Sequence, residues 1–159
     1  KRDKFFENVK LKDLLIEIMN SFKEISNKKF LIQLENNEYD PLIKRKVEIT
    51  YGLRNFIGNA TKFSDSLIEI NLESDKEKTK IKVCDDGPGF PEDIKKFLGE
   101  PYIKTKDKRI DLKSGLGLGT FIGKTLLERM KAKVEFGNAS DLNGASVKIK
   151  WQTKNLVNI

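Results

Sequence analysis

Two closely spaced glycine-rich turns constrain this chain most. Asp85-Asp86-Gly87-Pro88-Gly89-Phe90 follows an alternating apolar run, Lys80-Ile81-Lys82-Val83-Cys84. Gly87-Pro88-Gly89 forces a sharp turn at the strand end and holds Asp85 at its base, where a carboxylate can accept from an exocyclic amine. Downstream, Gly115-Leu116-Gly117-Leu118-Gly119-Thr120 runs into a helical repeat. Glycines there leave backbone N–H groups bare at a helix N-terminus, which suits an anion. About 25 residues before the first turn lies a third segment, Arg54-Asn55-Phe56-Ile57-Gly58-Asn59-Ala60-Thr61-Lys62-Phe63. Asn55, Asn59 and Lys62 share one helix face, and Leu53, Ile57 and Ala60 share another. An amide oxygen suits Mg²⁺ and an ammonium suits phosphate, although a solvated polar face has the same spacing.

Periodicity supplies the frame. Leu11, Leu14, Leu15, Ile18, Phe22 and Ile25 predict a helix over 11–26. Phe30–Glu35 reads as a strand, Asp40-Pro41 as a break, and 44–63 as a second helix. Leu67–Leu72 and Lys80–Cys84 form a hairpin around the polar stretch 74–78. Pro91–Leu98 reads as a short helix and Leu118–Met130 as the third long one. Strands at 133–137 and 145–151 follow, and 155–159 reads as a frayed tail. The expectation is an α+β, two-layer α/β sandwich: a mixed sheet with three main helices on one face. All 159 residues are read as one domain, with a core over about 9–151.

Composition narrows the classes. A net charge of +7 admits a nucleic-acid partner, but acids interleave with the lysines and no aromatic–basic motif occurs, so none is expected. The densest basic run, 104–113, reads as a phosphate-facing loop. No apolar run approaches the ~18 residues of a membrane helix. The chain opens at Lys1 without an initiator Met, as a piece of a longer protein would. Its single cysteine, Cys84, reads as a small core residue. With no histidine, imidazole has no catalytic or metal role within these residues.

Other phosphate motifs fail. A Walker loop needs a glycine five residues before Gly123-Lys124-Thr125, where Leu118 stands. A dinucleotide fingerprint fails because Gly123 comes one residue too late and a basic loop precedes the glycines. The alternating acids of a calcium loop are missing around Asp85.

The asparagine segment, the Asp-x-Gly-x-Gly box and the Gly-x-Gly-x-Gly box, in that order, resemble the ATP-binding domain of sensor histidine kinases, Hsp90-type chaperones, type II topoisomerases and mismatch-repair ATPases. The resemblance covers roughly 40–151 and implies a Bergerat-type fold with a flexible lid over about 91–114. It implies that Asn59 binds Mg²⁺ and that Asn55 lies beside the phosphates. Lys62 would reach a phosphate, and Phe63 and Ile94 would line the nucleotide site. Asp85 would accept from the adenine amino group, with Gly87 and Gly89 allowing close approach. Tyr102, like Phe97, resembles the aromatic pair of the kinase lid, and Lys104, Lys106 and Arg109 would clamp phosphates. Gly115, Leu116, Gly117, Leu118, Gly119 and Thr120 would meet the triphosphate.

Hydrolysing members carry a glutamate base four residues before the metal-binding asparagine. Here that residue is Asn55, and an amide cannot take a proton. The resemblance is therefore to a sensor histidine kinase catalytic domain, with 98–102, 115–129 and 144–151 most like the RegB/PrrB redox-sensor type. Gly58 departs from the acid many kinases carry there. A Bergerat-fold ATPase and an anti-sigma-factor serine kinase are the alternatives. The kinase resemblance implies ATP and Mg²⁺, and transfer of the γ-phosphate to a histidine on a separate dimerisation domain of the same protein. It further implies a response regulator as partner, a monomeric isolated domain and a homodimeric full-length protein. It places this domain in the cytoplasm, with the whole protein anchored in the inner membrane as one option. No side chain is assigned as a catalytic base.

Overall fold

Alternation of apolar and polar residues sets the sheet. The computed structural model describes residues 7–37, 39–95, 97–100, 116–139 and 141–157. Five strands, β2 (Lys29–Asn37), β4 (Leu67–Ser74), β5 (Lys78–Asp85), β6 (Lys133–Asn138) and β7 (Ala145–Gln152), lie in the order β2-β4-β5-β7-β6. β2 runs parallel to β4 and every other neighbouring pair is antiparallel, so the sheet is mixed. On β4, Ile68, Ile70, Leu72 and Ser74 are buried, and on β5 Thr79, Ile81, Val83 and Asp85 are. Those positions share one face of the pleat.

Three long helices cover that face, as expected. α1 (Leu11–Lys23) buries Leu11, Leu14, Leu15, Ile18 and Met19. α2 (Val47–Phe63) buries Ile49, Leu53, Phe56, Ile57 and Ala60. α4 (Leu116–Arg129) completes the layer with Leu127, which has no exposed surface. α3 (Glu92–Lys95) is a single turn. α2 and α4 cross closely because glycines face large side chains. A Cβ on Gly123 would lie 2.8 Å from the Phe56 ring, and one on Gly52 would lie 2.6 Å from Leu127 Cγ. Gly123, the failed Walker glycine, is thus a helix-packing residue. The Lys28 ammonium closes the C-terminus of α2, donating to the Thr61 carbonyl at 2.6 Å and the Ser64 carbonyl at 2.7 Å.

Four expectations need correction. α1 stops at Lys23, and Ile25, read as part of its apolar stripe, is 80% exposed. α2 begins at Val47 because Leu42–Lys44 is a short strand, β3, paired with β1 (Asn8–Lys10). The short helix read over 91–98 is only α3. Finally, the tail is not frayed over 155–157: Thr153–Val157 forms α5, and Leu156 is fully buried in the core. A five-residue helix has too few periods to show in a sequence, so tertiary burial stabilises it. Cys84 is buried, and burial pushes its thiol pKa up.

Candidate functional site

A cavity of about 200 Å³ opens where the two glycine turns converge with α2. Val83 and Asp85 of β5, with Ala145 and Val147 of β7, line it from the sheet. Phe56, Asn59, Ala60 and Phe63 enter from α2, Thr120 from α4, and Pro88, Gly89, Phe90 and Pro91 from the first glycine turn. The lining is mostly apolar, so its few polar groups decide what it accepts.

Asp85 is 4% exposed. Its Oδ1 accepts from the Gly87 N–H at 2.9 Å and the Ala145 N–H at 3.3 Å. Oδ2 takes no hydrogen bond among the described residues. Burial raises the pKa of this carboxyl, and the Gly87 and Ala145 donors oppose that rise. The turn depends on close backbone approach. A Cβ on Gly87 would come 2.1 Å from the Phe63 carbonyl oxygen, and one on Gly144 would come 2.0 Å from that of Asp85. Gly89 has φ +79°, which favours glycine.

Asp86, the next residue, does something else. Its Oδ1 accepts from the backbone N–H of Asp65 (3.0 Å), Ser66 (2.9 Å) and Leu67 (3.0 Å), and its Oδ2 from the Ser66 hydroxyl at 2.8 Å. Partial burial works against its charge, but these donors outweigh it and lower its pKa to about 2. Asp86 ties the α2–β4 connection to the end of β5.

Asn59 lines the cavity, and its Nδ2 is buried without a hydrogen bond among the described residues. α4 starts at Leu116, so Gly117 and Gly119 stand in its first turn, where N–H groups lack intrahelical partners. A Cβ on Gly119 would lie 3.2 Å from Asn59 Nδ2. The Asn59 amide, unpaired among the described residues, therefore sits against the first turn of α4 at one end of the cavity. The described residues include no group of three or more His, Cys, Asp or Glu able to hold a metal. A metal here would take Asn59 from the protein and its other ligands from phosphate and water, which fits Mg²⁺.

The other expected residues divide. Phe63, Gly89 and Thr120 line the cavity, and Gly87 braces Asp85. Asn55 is not brought in, because its Nδ2 donates to the Tyr51 carbonyl at 2.8 Å within α2. Lys62 is outside the lining and lies over the Phe63 ring at 5.6 Å. Leu118 is 61% exposed. Of Ile94, Leu116 and Gly117 only the helical backbone is described. Tyr102, Lys104, Lys106, Arg109, Gly115 and most of the expected lid lie outside the described residues.

Reasoning from sequence missed Phe56, Pro88, Phe90, Pro91, Ala145, Val147 and Gly144. Phe90 directly follows the glycine box, and its ring stands edge-on to Phe136, which in turn meets Phe56. Val83 and Val147 are paired in register across β5 and β7, so alternation puts both on the cavity face.

The family described as histidine kinase-, DNA gyrase B- and HSP90-like ATPases matches residues 45–155. The chain belongs to this family. Membership implies ATP binding. Its relatives include the sensor histidine kinase RegB of Cereibacter sphaeroides, 36% identical over a 136-residue alignment that covers 76% of this chain and 29% of RegB. The sensor histidine kinase CpxA of Escherichia coli is 30% identical over 95 residues, 60% of this chain and 21% of CpxA. The chain therefore spans less than a third of either relative. In fold it is similar to the catalytic domain of the histidine kinase ThkA, with TM-score 0.73 at 24% identity over 93% of this chain and 97% of that one. The ATP-binding domain of PrrB from Mycobacterium tuberculosis gives TM-score 0.68 at 18% identity, covering 91% and 95%. The chain is thus a histidine-kinase-type ATPase-family domain.

Proposed function

We propose that the cavity holds the adenine of ATP against Asp85, and that the chain transfers the γ-phosphoryl group to a histidine on a separate dimerisation domain. One observation carries the nucleotide assignment: Asp85 is the only carboxylate among the described lining residues, buried in a mostly apolar pocket with one oxygen left to accept. Phe56, Ala60, Val83, Phe90 and Val147 supply apolar contact for a base. Ionised Asp85 accepts from an exocyclic amine and would oppose a carbonyl oxygen at the same place.

The triphosphate extends toward the first turn of α4, where backbone N–H groups and Asn59 meet it. Mg²⁺, held by Asn59 and the phosphates, would neutralise charge on the transferring group. The chain's own residues bind, orient and exclude water, and positioning of this kind is a large part of phosphoryl transfer. Asn55 hydrogen-bonds its own helix and, being an amide, offers no base to activate water. That supports transfer over hydrolysis. The acceptor must lie elsewhere, because these 159 residues contain no histidine. ThkA has been solved with a response regulator, and we assign this chain's parent protein a response-regulator partner on that likeness. Calorimetry with ATP and GTP tests the base assignment: tighter ATP binding that Asp85→Asn removes supports it, and equal affinities refute it.

A further inference from the structure

The sheet has a second face, turned away from the helices and the cavity. Side chains alternate, so Val83 and Val147 face the cavity while their neighbours Lys82 and Lys148 face the opposite way. Strand register collects lysines there. Lys80 stands directly opposite Lys150, and Lys150 opposite Lys133, in one row across three strands. In the next row Lys82 stands opposite Lys148, and Lys148 opposite Glu135. At strand spacings of about 4.8 Å and two-residue steps of about 6.7 Å, five lysine stems rise from a patch roughly 10 Å by 7 Å.

Like charges directly opposite on neighbouring strands destabilise a sheet. Neutralisation inside the chain is partial. Glu135 contacts Lys150 at 2.7 Å, and Glu73 contacts Lys80 at 3.3 Å. No ion pair forms on Lys82, Lys133 or Lys148 among the described residues. Lys78 and Lys131 border the same surface in an adjoining cleft that Glu73 and Asp75 also line. Apart from Glu135, the acids of this face lie to one side, on β4 and β2: Glu73, Glu35 opposite it, and Glu69, which accepts from the Asn71 amide at 3.2 Å.

We infer that the lysine rows on β5, β7 and β6 are a docking surface for an acidic segment of a partner protein. Charge complementarity carries the choice of occupant. A duplex nucleic acid or an anionic membrane spreading across the whole face would meet Glu69 and Glu73. A protein segment confined to three strands faces five lysines and one acid, Glu135, which is already paired with Lys150. The rows also lack aromatic side chains on which bases could stack. The surface lies on the far side of the sheet from the cavity, so it works independently of the nucleotide site.

Amide NMR spectra of the chain, titrated at physiological salt with a synthetic oligoglutamate peptide, test the inference. Shifts over β5, β7 and β6 are expected. The Lys82→Glu/Lys148→Glu double variant should weaken binding at least about tenfold, the effect of losing two charge contacts. The control Lys12→Glu/Lys44→Glu, equal in charge change, should leave it within about twofold. The single variant Lys82→Glu replaces the Lys82–Lys148 like-charge pair by an opposite one, and its other cross-strand neighbour is the neutral Asn71. It should raise the melting temperature by about 1–3 °C while weakening the peptide, and ATP affinity should not change. Absence of shifts on these strands, or equal losses in the control, overturns the inference. So does tighter binding of a DNA duplex or of phosphatidylserine-containing vesicles at the same rows. Self-association that the double variant abolishes would instead assign the face to a second copy.

Discussion

Asp85 and Asp86 are adjacent in the chain and opposite in role. Asp85 turns into the cavity with one oxygen unpaired among the described residues, whereas Asp86 gathers three backbone donors and a hydroxyl at the α2–β4 connection. Asp85→Asn can keep its Gly87 and Ala145 bonds through Oδ1, but it places a donor where an acceptor stood. ATP binding should weaken by about 1–3 kcal/mol with little change in melting temperature. Asp86→Asn should do the reverse, lowering stability by about 1–2 kcal/mol after allowance for solvent screening and leaving ATP affinity nearly intact. Calorimetry and thermal melts on both variants check the exchange of roles.

The same pair sets the acid response. Asp86 has a folded pKa of about 2 against an ordinary 3.8. Its contribution to stability is fully present above 3.8 and is lost as pH falls toward 2. Asp85 has the opposite sign. Its pKa is raised, so ionising it opposes folding, and stability from this group falls as pH rises through its folded value. Denaturant melts between pH 2 and 4 should therefore show a loss toward low pH that Asp86→Asn flattens. A slope unchanged by the substitution would remove Asp86 as its source.

Asn59→Ala should separate metal dependence from folding. The residue loses a buried, unpaired amide and no hydrogen bond among the described residues, so the melting temperature should hold or rise slightly. Mg²⁺-dependent tightening of ATP binding should disappear. Calorimetry with and without Mg²⁺ reads this directly, and a variant that retains the tightening removes Asn59 from the metal.

Leu156→Ala tests the corrected C-terminus. Leu156 is fully buried against the core, so truncation should cost about 2–5 kcal/mol. A frayed tail would show no change in a urea melt.

Sequence patterns made the sheet and the three long helices legible, because alternation and 3.6-residue spacing record burial on one face. Asp85 was legible as well, since the Gly-Pro-Gly turn fixes an acid at the strand end, where its carboxylate can meet a ligand. Asn55 and Lys62 share the face of Asn59 on a helical wheel, yet only Asn59 reaches the cavity. The wheel shows direction and not partners: Asn55 bonds back to Tyr51, and Lys62 lies over the Phe63 ring. The apolar walls were hidden for a different reason. Val147 and Ala145 reach the site through β5–β7 pairing, and no local pattern states which strands will be neighbours. α5 and the β1–β3 ladder were missed because each is too short to show a period.

Phosphoryl transfer itself is tested by mixing the chain with γ-labelled ATP, Mg²⁺ and the histidine-bearing dimerisation domain encoded by the same gene. Acid-labile label should appear on that domain and vanish when its histidine is replaced. The chain alone should release phosphate slowly, since a missing base typically costs about 10²–10⁴ in rate. Rapid phosphate release by the chain alone, with no label on the histidine domain, would contradict the kinase assignment.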